Sequence, residues 1–257
     1  MTDILEKIIS SVRSAGEIYK SAGNVLGIEQ KGSSVNLVTS YDKEIQRFLE
    51  IELKKIIPEC RVICEEGDGE KTVGDGYCFI IDPIDGTTNF IKGFKHSAIC
   101  VGLAKDGELI KGVVYNPDAD EIFYAEKGGG AYLNGRKIQV SNCDLAHSLV
   151  LFGTCPYEHE LAKETFELTE KIFYKSIEVR RSGCAALDIC YVACGRADMY
   201  YELILRPWDW AGATVILREA GGICSLTDGT GVSLNIVKSY LCANPKNIRE
   251  FYEIYKS

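Results

Sequence analysis

The sequence predicts an α+β protein of layered helices and sheets, and three observations carry that reading. Apolar residues at helical spacing open the chain, a run of short strands and tight turns fills its middle, and strand-like and helix-like segments alternate through the rest. The 257 residues are 46% hydrophobic and 26% charged, an ordinary globular composition. A chain of this length buries roughly three-quarters of its unfolded surface without cross-links. No repeat, low-complexity tract or Pro/Ser-rich linker divides it. A single domain over 1–257 is therefore expected, with two intimately packed halves of roughly 1–145 and 146–257.

The elements follow in order. Ile4, Leu5, Ile8, Ile9 and Val12 have the spacing of a first helix. Ile45, Phe48, Leu49, Leu53 and Ile56 mark a second, stopped by Pro58. Two short apolar runs, 61–64 and 77–81, read as strands. From 97 to 140 the runs 98–104, 109–115, 121–125, 131–133 and 137–140 are broken by Asp106-Gly107, Asn116-Pro117-Asp118 and Asn134-Gly135. Asn-Gly between two such runs is a strong hairpin signal, so this stretch is an antiparallel meander. The second half alternates: strands near 149–152, 177–180, 198–201, 223–226 and 240–243, and helices over 158–173, 185–194, 208–220 and 248–255. Gly221-Gly222 caps the third of those helices.

Composition excludes several function classes. The net charge is −8, with no basic block and no run of aromatic and basic residues, which argues against nucleic acid or an anionic membrane as partner. No stretch of about 18 apolar residues suggests a membrane span. The first ten residues lack the pattern of a signal peptide, so a cytoplasmic location is expected. The 11 cysteines form no C-x-x-C pair, although Cys190 and Cys194 are placed to share a helix face. The three histidines, His96, His147 and His159, stand in no clear catalytic motif and near no cysteine pair. Zinc is not expected, and the cysteines read as reduced, mostly buried small apolar residues.

The most informative segment is Phe79-Ile-Ile-Asp82-Pro83-Ile84-Asp85-Gly86-Thr87-Thr88-Asn89-Phe90. An apolar strand is expected to end at Asp82, with Pro83 turning the chain and Asp85 returning on the same side. Gly86 permits tight backbone geometry, and Thr87 is placed to cap a following helix. Paired carboxylates at a strand end suit a hard divalent cation such as Mg2+, which also takes water and substrate phosphate. The N–H groups of Gly86, Thr87 and Thr88, with the helix dipole, suit an anion. Asp-Pro and Asp-Gly are common in turns, but D-P-x-D-G-T arises by chance on the order of once per million start positions at average usage.

Three further clusters supply acid: Glu65-Glu66 after the strand at 61–64, Asp209 in Trp208-Asp209-Trp210-Ala211-Gly212-Ala213, and Asp42 at the start of the second helix. Taken singly, the glutamates could be a solvated pair and the aspartates helix caps.

Together these segments resemble the inositol monophosphatase family in order and approximate spacing. The resemblance runs from about Lys31 to Gly222 and is most specific in Asp82–Phe90 and the W-D-x-A-G-A segment. Gly183-Cys184-Ala185-Ala186 and Tyr200-Tyr201-Glu202 also fall where that family contacts its sugar. The family's fold is a layered αβαβα sandwich shared with fructose-1,6-bisphosphatase. The resemblance implies Mg2+-dependent hydrolysis of a small phosphate monoester, first myo-inositol 1-phosphate, with two to three ions per site. Glu65, Asp82 and the Ile84 carbonyl would hold one ion, and Asp82, Asp85 and Asp209 a second. Glu65 would hold a weaker third, with Glu66 behind it. Thr87 and Asp42 would orient the attacking water. Asp85, Gly86, Thr87, Thr88, Ala185, Glu202 and Asp209 would contact substrate, and Lys31 would sit on a loop closing over the site. Lithium sensitivity and a homodimer are further implications.

The chain departs from the family pattern at Cys64, where glycine is common, and at Cys184, where Thr or Ser is common. Arg206, before Pro207 and Trp208, could reach the far side of the substrate. Fructose-1,6-bisphosphatases, 3′-phosphoadenosine 5′-phosphate phosphatases and histidinol-phosphatases of the superfamily are the nearest alternatives, but Thr88-Asn89-Phe90 favours the inositol monophosphatase branch. A non-catalytic regulator that binds a phosphometabolite or a protein partner is the alternative from another class.

Overall fold

The structure, a computed structural model, describes residues 1–22, 29–30, 37–66 and 72–256, the pairs 29–30 and 37–38 by their backbone alone. Two amphipathic helices open the chain. α1 (Asp3–Ser21) buries Leu5, Ile8, Val12, Ala15 and Tyr19 along one stripe. A two-residue ribbon, β1 (Glu29–Gln30) antiparallel to β2 (Leu37–Val38), leads to α2 (Ser40–Ile56), which buries Ile45, Leu49 and Leu53. The start of α2 is fixed by sequence: Thr39 Oγ1 accepts the N–H groups of Tyr41 and Asp42, and the Asp42 carboxylate accepts the Thr39 N–H at 2.8 Å.

The middle of the chain forms one seven-stranded sheet in sequence order. β3 (Arg61–Cys64) runs parallel to β4 (Tyr77–Asp85). After the short helix α3 (Thr87–Lys92) come β5 (Ala98–Lys105), β6 (Glu108–Asn116), β7 (Glu121–Glu126), β8 (Gly130–Leu133) and β9 (Arg136–Ile138), each antiparallel to its predecessor in the sheet. Two of the expected turns take φ > 0 at both positions, Asp106 and Gly107 at 50° and 80°, Asn134 and Gly135 at 47° and 81°. That is the twist an antiparallel hairpin needs.

The remaining strands form a second sheet. They are β10 (Leu149–Phe152), β11 (Glu178–Arg180), β12 (Met199–Leu205), β13 (Ile223–Ser225) and β14 (Lys238–Ala243), in the order β11-β10-β12-β14-β13. Between them run α4 (Ala162–Phe173), α5 (Ala185–Ala193), α6 (Pro207–Glu219) and α7 (Asn247–Tyr255). β10 is parallel to β11 and β12, whereas β14 is antiparallel to β12 and β13.

Strand alternation sorts the layers. Phe79 and Ile81 of β4 pack with the apolar stripes of α1 and α2, while Cys78 and Ile80 share a core with α5 and α6. That core is closed from the far side by Leu151, Tyr200 and Tyr240 of the second sheet, and α4 and α7 cover the other face of that sheet through Leu168, Ile172 and Phe251. The result is the αβαβα layering expected. α6 lies directly on the seven-stranded sheet, because glycines meet there. A methyl group at Gly112 would lie 2.0 Å from the Gly212 carbonyl oxygen, and one at Gly212 would lie 2.8 Å from the Val101 carbonyl oxygen.

Three local expectations are corrected. β4 does not end at Asp82: it continues through Pro83 to Asp85. Asp82 pairs with Cys100 and Asp85 with Ala98, so three residues of β4 span two of β5 and one is bulged out. A bulge removes a ladder bond, and β3 pairs only as far as Ile81, so proline is tolerated there. Thr87 is not the cap of α3; Gly86, at φ 84°, takes that place and Thr87 is the first helical residue. α4 begins at Ala162, preceded by a single 3₁₀ turn (His159–Leu161), not at 158.

Candidate active site

The site is assembled where strand ends and helix starts from both sheets converge. β3 delivers Glu65, whose N–H extends the parallel pairing to the Ile81 carbonyl. The bulge in β4 delivers Asp82 and Asp85. Asp82 Oδ1 accepts the Ile84 N–H at 3.0 Å, and the Thr87 hydroxyl donates to the Ile84 carbonyl at 3.1 Å. Asp85 Oδ2 accepts the Ala186 N–H at 2.7 Å and the Cys184 thiol at 3.1 Å, tying the first sheet to the start of α5. Asp209 stands in the first turn of α6, where its carboxylate accepts the Arg206 N–H at 2.8 Å. Asn89 braces the turn from behind, its amide donating to the His96 and Ser182 carbonyls.

These groups line a cavity of about 510 Å³. Of the residues expected in the site, it is lined by Glu65, Asp82, Ile84, Asp85, Gly86, Thr87 and Thr88 from the first sheet and its turn. Ala185, Glu202 and Asp209 line it from the second half of the chain. Asp42 and Glu66 do not line it. Asp42 is buried at the head of α2, committed to the Thr39 cap, yet close enough for its charge to bear on Asp82. Glu66 is held by its backbone, which exchanges two hydrogen bonds with the Gln46 side chain. Lys31 lies outside the described residues.

Electrostatics identifies the carboxylates as a mutually repelling group. Burial, then the charges of Glu65, Asp85 and Asp209, push Asp82 well above the usual carboxylate range. Burial raises Asp85 to about 7 against the opposing pull of the Ala186 N–H and the Cys184 thiol. Asp209 is raised by burial and by Asp85 and Glu65. As they stand, the side chains ring the cavity without closing on one point: among the described residues, no three His, Cys, Asp or Glu groups already form an ion site. The donor set nonetheless fits Mg2+. It offers hard carboxylate and carbonyl oxygens and an unneutralised negative charge that a divalent cation would relieve.

Sequence reasoning missed part of the wall. Glu202 does more than face the cavity: Oε1 accepts the Cys155 N–H and Oε2 the Tyr200 hydroxyl, each at 2.6 Å. It thereby holds the 153–157 loop against β12. That loop brings Gly153, Cys155, Pro156 and Tyr157 to the cavity, and Arg181, Asp188 and Ile204 also belong to the missed lining. Gly153 carries a packing signal only in three dimensions, since a methyl group there would fall 2.0 Å from the Glu202 carboxylate. The cysteines are free thiols, eight of the eleven buried, as expected.

The family model of the inositol monophosphatase family matches residues 1–255. The chain belongs to the inositol monophosphatase family. Among relatives, the Vibrio cholerae protein named Nus factor SuhB is 39% identical over 90% of this chain and 87% of its own length. The inositol-1-monophosphatase of Rhizobium meliloti is 34% identical over 98% of this chain and 95% of its own. The solved structure of the IMPase of Thermotoga maritima superposes with a TM-score of 0.89 at 31% identity, covering 99% of this chain and 97% of that one. Inositol monophosphatase family members are generally metal-dependent and act on small phosphate esters. No helix among the described residues is long and apolar enough to cross a membrane.

Proposed function

We propose that this chain is a Mg2+-dependent phosphatase of small phosphate monoesters, with myo-inositol 1-phosphate as its first substrate. The observation that carries the reading is the ring of Glu65, Asp82, Asp85 and Asp209 around one cavity, with desolvation and the neighbouring negative charges raising Asp82, Asp85 and Asp209. Two to three ions per site match that charge. When bound, magnesium neutralises phosphate charge and lowers the pKa of water. The chain's own groups do the placing. Glu65, Asp82, Asp85, Asp209 and the Ile84 carbonyl hold the cations. The Thr87 hydroxyl donates a hydrogen bond to the Ile84 carbonyl, which leaves its oxygen able to accept a hydrogen bond from the attacking water. Asp42 supports that water from behind, and Glu66 supports Glu65. The N–H groups of Gly86, Thr87 and Thr88 face the phosphate, while Ala185, Glu202, Asp85 and Asp209 face the alcohol. Water adds to phosphorus as the bond to the alcohol oxygen breaks, and the alcohol regains a proton. Positioning and charge neutralisation, without a covalent intermediate, suffice for phosphoryl transfer.

The relatives named Nus factor favour a second reading, in which the chain binds a partner and turns over little or nothing. Their name also leaves the expectation of no nucleic-acid partner resting on net charge and the lack of a basic block or an aromatic-basic run. Lys31 as part of a closing loop, lithium sensitivity, a homodimer and a cytoplasmic location belong to the first reading; light scattering tests the dimer. The deciding assay is phosphate release from myo-inositol 1-phosphate, fructose 1,6-bisphosphate and 3′-phosphoadenosine 5′-phosphate, with and without magnesium, beside Asp85→Asn. Magnesium-dependent turnover led by the inositol ester and lost in the variant upholds the proposal. Preference for another ester moves the substrate, and no turnover on any ester favours the second reading.

A further inference from the structure

The cavity wall also carries positive charge that the proposed reaction does not use. Arg181, just before the Ser182-Gly183 turn into α5, and Arg206, just before α6, both line the cavity. Among the described residues neither guanidinium has a hydrogen-bonded or ion-paired partner, Arg181 being exposed and Arg206 half-buried, whereas Arg196, also exposed, takes both oxygens of Glu121. The two arginines flank the same stretch of wall. Arg181 acts on Glu202 and Asp188, and Arg206 acts on Cys155, whose N–H is held by Glu202. Tyr157 lines the cavity from the same loop.

This wall is rigidly placed. Glu202 is 8% exposed and bonded at both oxygens. Cys155 is held at φ 33°, a left-handed conformation that a non-glycine residue adopts only under constraint. The Arg206 backbone N–H is bonded to Asp209, which fixes the start of its side chain relative to the carboxylate ring. The cavity of about 510 Å³ is at the scale of a drug-sized ligand site, with room beyond a phosphate and one small ring. Guanidinium groups present planar forks of donors that match phosphate and carboxylate oxygens.

We propose that Arg206, assisted by Arg181, forms a second anion subsite, so that a monoester bearing another phosphate or carboxylate on its alcohol portion is favoured over the same monoester without it. The inference rests on the phosphatase reading and deepens it, since it names the substrate class of the same cavity. The leaving alcohol, and not the phosphate being cleaved, carries the group the arginines select.

The test compares two esters of one skeleton, fructose 1-phosphate and fructose 1,6-bisphosphate, through the ratio of their kcat/KM values in magnesium. The wild-type ratio should favour the bisphosphate. Arg206→Gln should lower that ratio on the order of tenfold, as expected for one charge-assisted contact in a partly open site, and Arg206→Lys should fall between. Arg181→Gln should lower it less. The ratio cancels losses common to both esters, so a partly misfolded variant does not mimic the effect. A wild-type ratio near one, or a ratio unchanged in Arg206→Gln, overturns the proposal. If neither ester is turned over, phosphate release from myo-inositol 1-phosphate decides the phosphatase reading separately, and calorimetric titration with the fructose pair still decides the subsite. Tighter binding of the bisphosphate that is lost in Arg206→Gln upholds it; equal binding overturns it.

Discussion

Gly112→Ala should disable this protein from a position that touches no substrate. The added methyl group would lie 2.0 Å from the Gly212 carbonyl oxygen, and reaching even 3.0 Å requires α6 and the sheet to separate by about 1 Å. Both partners are backbone, so no side chain can swing away to relieve the contact. Overpacking of a well-packed core costs about 1–3 kcal/mol, and a backbone clash belongs at the upper end. At about 2–4 °C per kcal/mol for a chain of this size, the melting temperature should fall by about 6–12 °C. The same separation carries Asp209, on the first turn of α6, away from Asp82 and Asp85 on β4. A 1 Å misplacement of a reacting group costs on the order of 100-fold in rate, so magnesium-dependent turnover should fall more steeply than stability. Differential scanning calorimetry and phosphate release measure the two effects. Gly231→Ala is the control, because a methyl group there meets nothing within 4 Å. A Gly112→Ala protein that melts within about 2 °C of wild type at an undiminished rate would refute the close contact between α6 and the sheet.

Three further outcomes are expected. Magnesium at about 100 times its dissociation constant should stabilise the fold by about 2.7 kcal/mol, or about 5–10 °C in melting temperature, and a melting curve indifferent to millimolar magnesium would count against the ion site. Asp85→Asn should abolish turnover yet raise the melting temperature of the magnesium-free protein, because it removes one of several buried like charges; a lower magnesium-free melting temperature would contradict the repulsion argument. Stability of the magnesium-free protein should fall as pH rises. Asp85 titrates at about 7 in the folded state against an ordinary value of 3.8, so the native state holds more protons over that interval and loses stability as they leave. Asp82 and Asp209 are shifted in the same direction and act with the same sign. Melts at pH 5 and pH 8 in a chelator should show the decline, saturating magnesium should weaken or reverse it, and a flat profile in chelator would contradict the shift.

Much of this architecture was legible because local signals decide it. The strands at 61–64 and 149–152 fall where apolar runs placed them, and Asn134-Gly135 makes the turn its chemistry demands. D-P-x-D-G-T located the carboxylates, but not the backbone that presents them. Proline read alone signals a turn, whereas here a bulge accommodates it within a strand whose pairing partner has already ended. Thr87 looked like a cap because threonine caps helices, yet Gly86 takes the left-handed position instead. Arg181, Tyr157 and Gly153 were invisible for another reason: each sits in an unremarkable loop, and only the convergence of β10, β12 and α5 makes them neighbours of Asp85. The closeness of Gly112 to Gly212 depends on residues 100 positions apart and leaves no periodic trace.

The cavity draws Glu65, Asp82 and Asp85 from the first sheet but Ala185, Glu202 and Asp209 from strands and helices made later. During synthesis, the ribosome therefore releases three of the carboxylates well before their counterpart on α6 exists. The early half already carries the groups proposed for a first ion, whereas the seat proposed for a second must wait until residue 209 has emerged and docked. On the proposed reading, occupancy of that second seat would report that α6 has been made and docked, a readiness signal written into the order of the polypeptide.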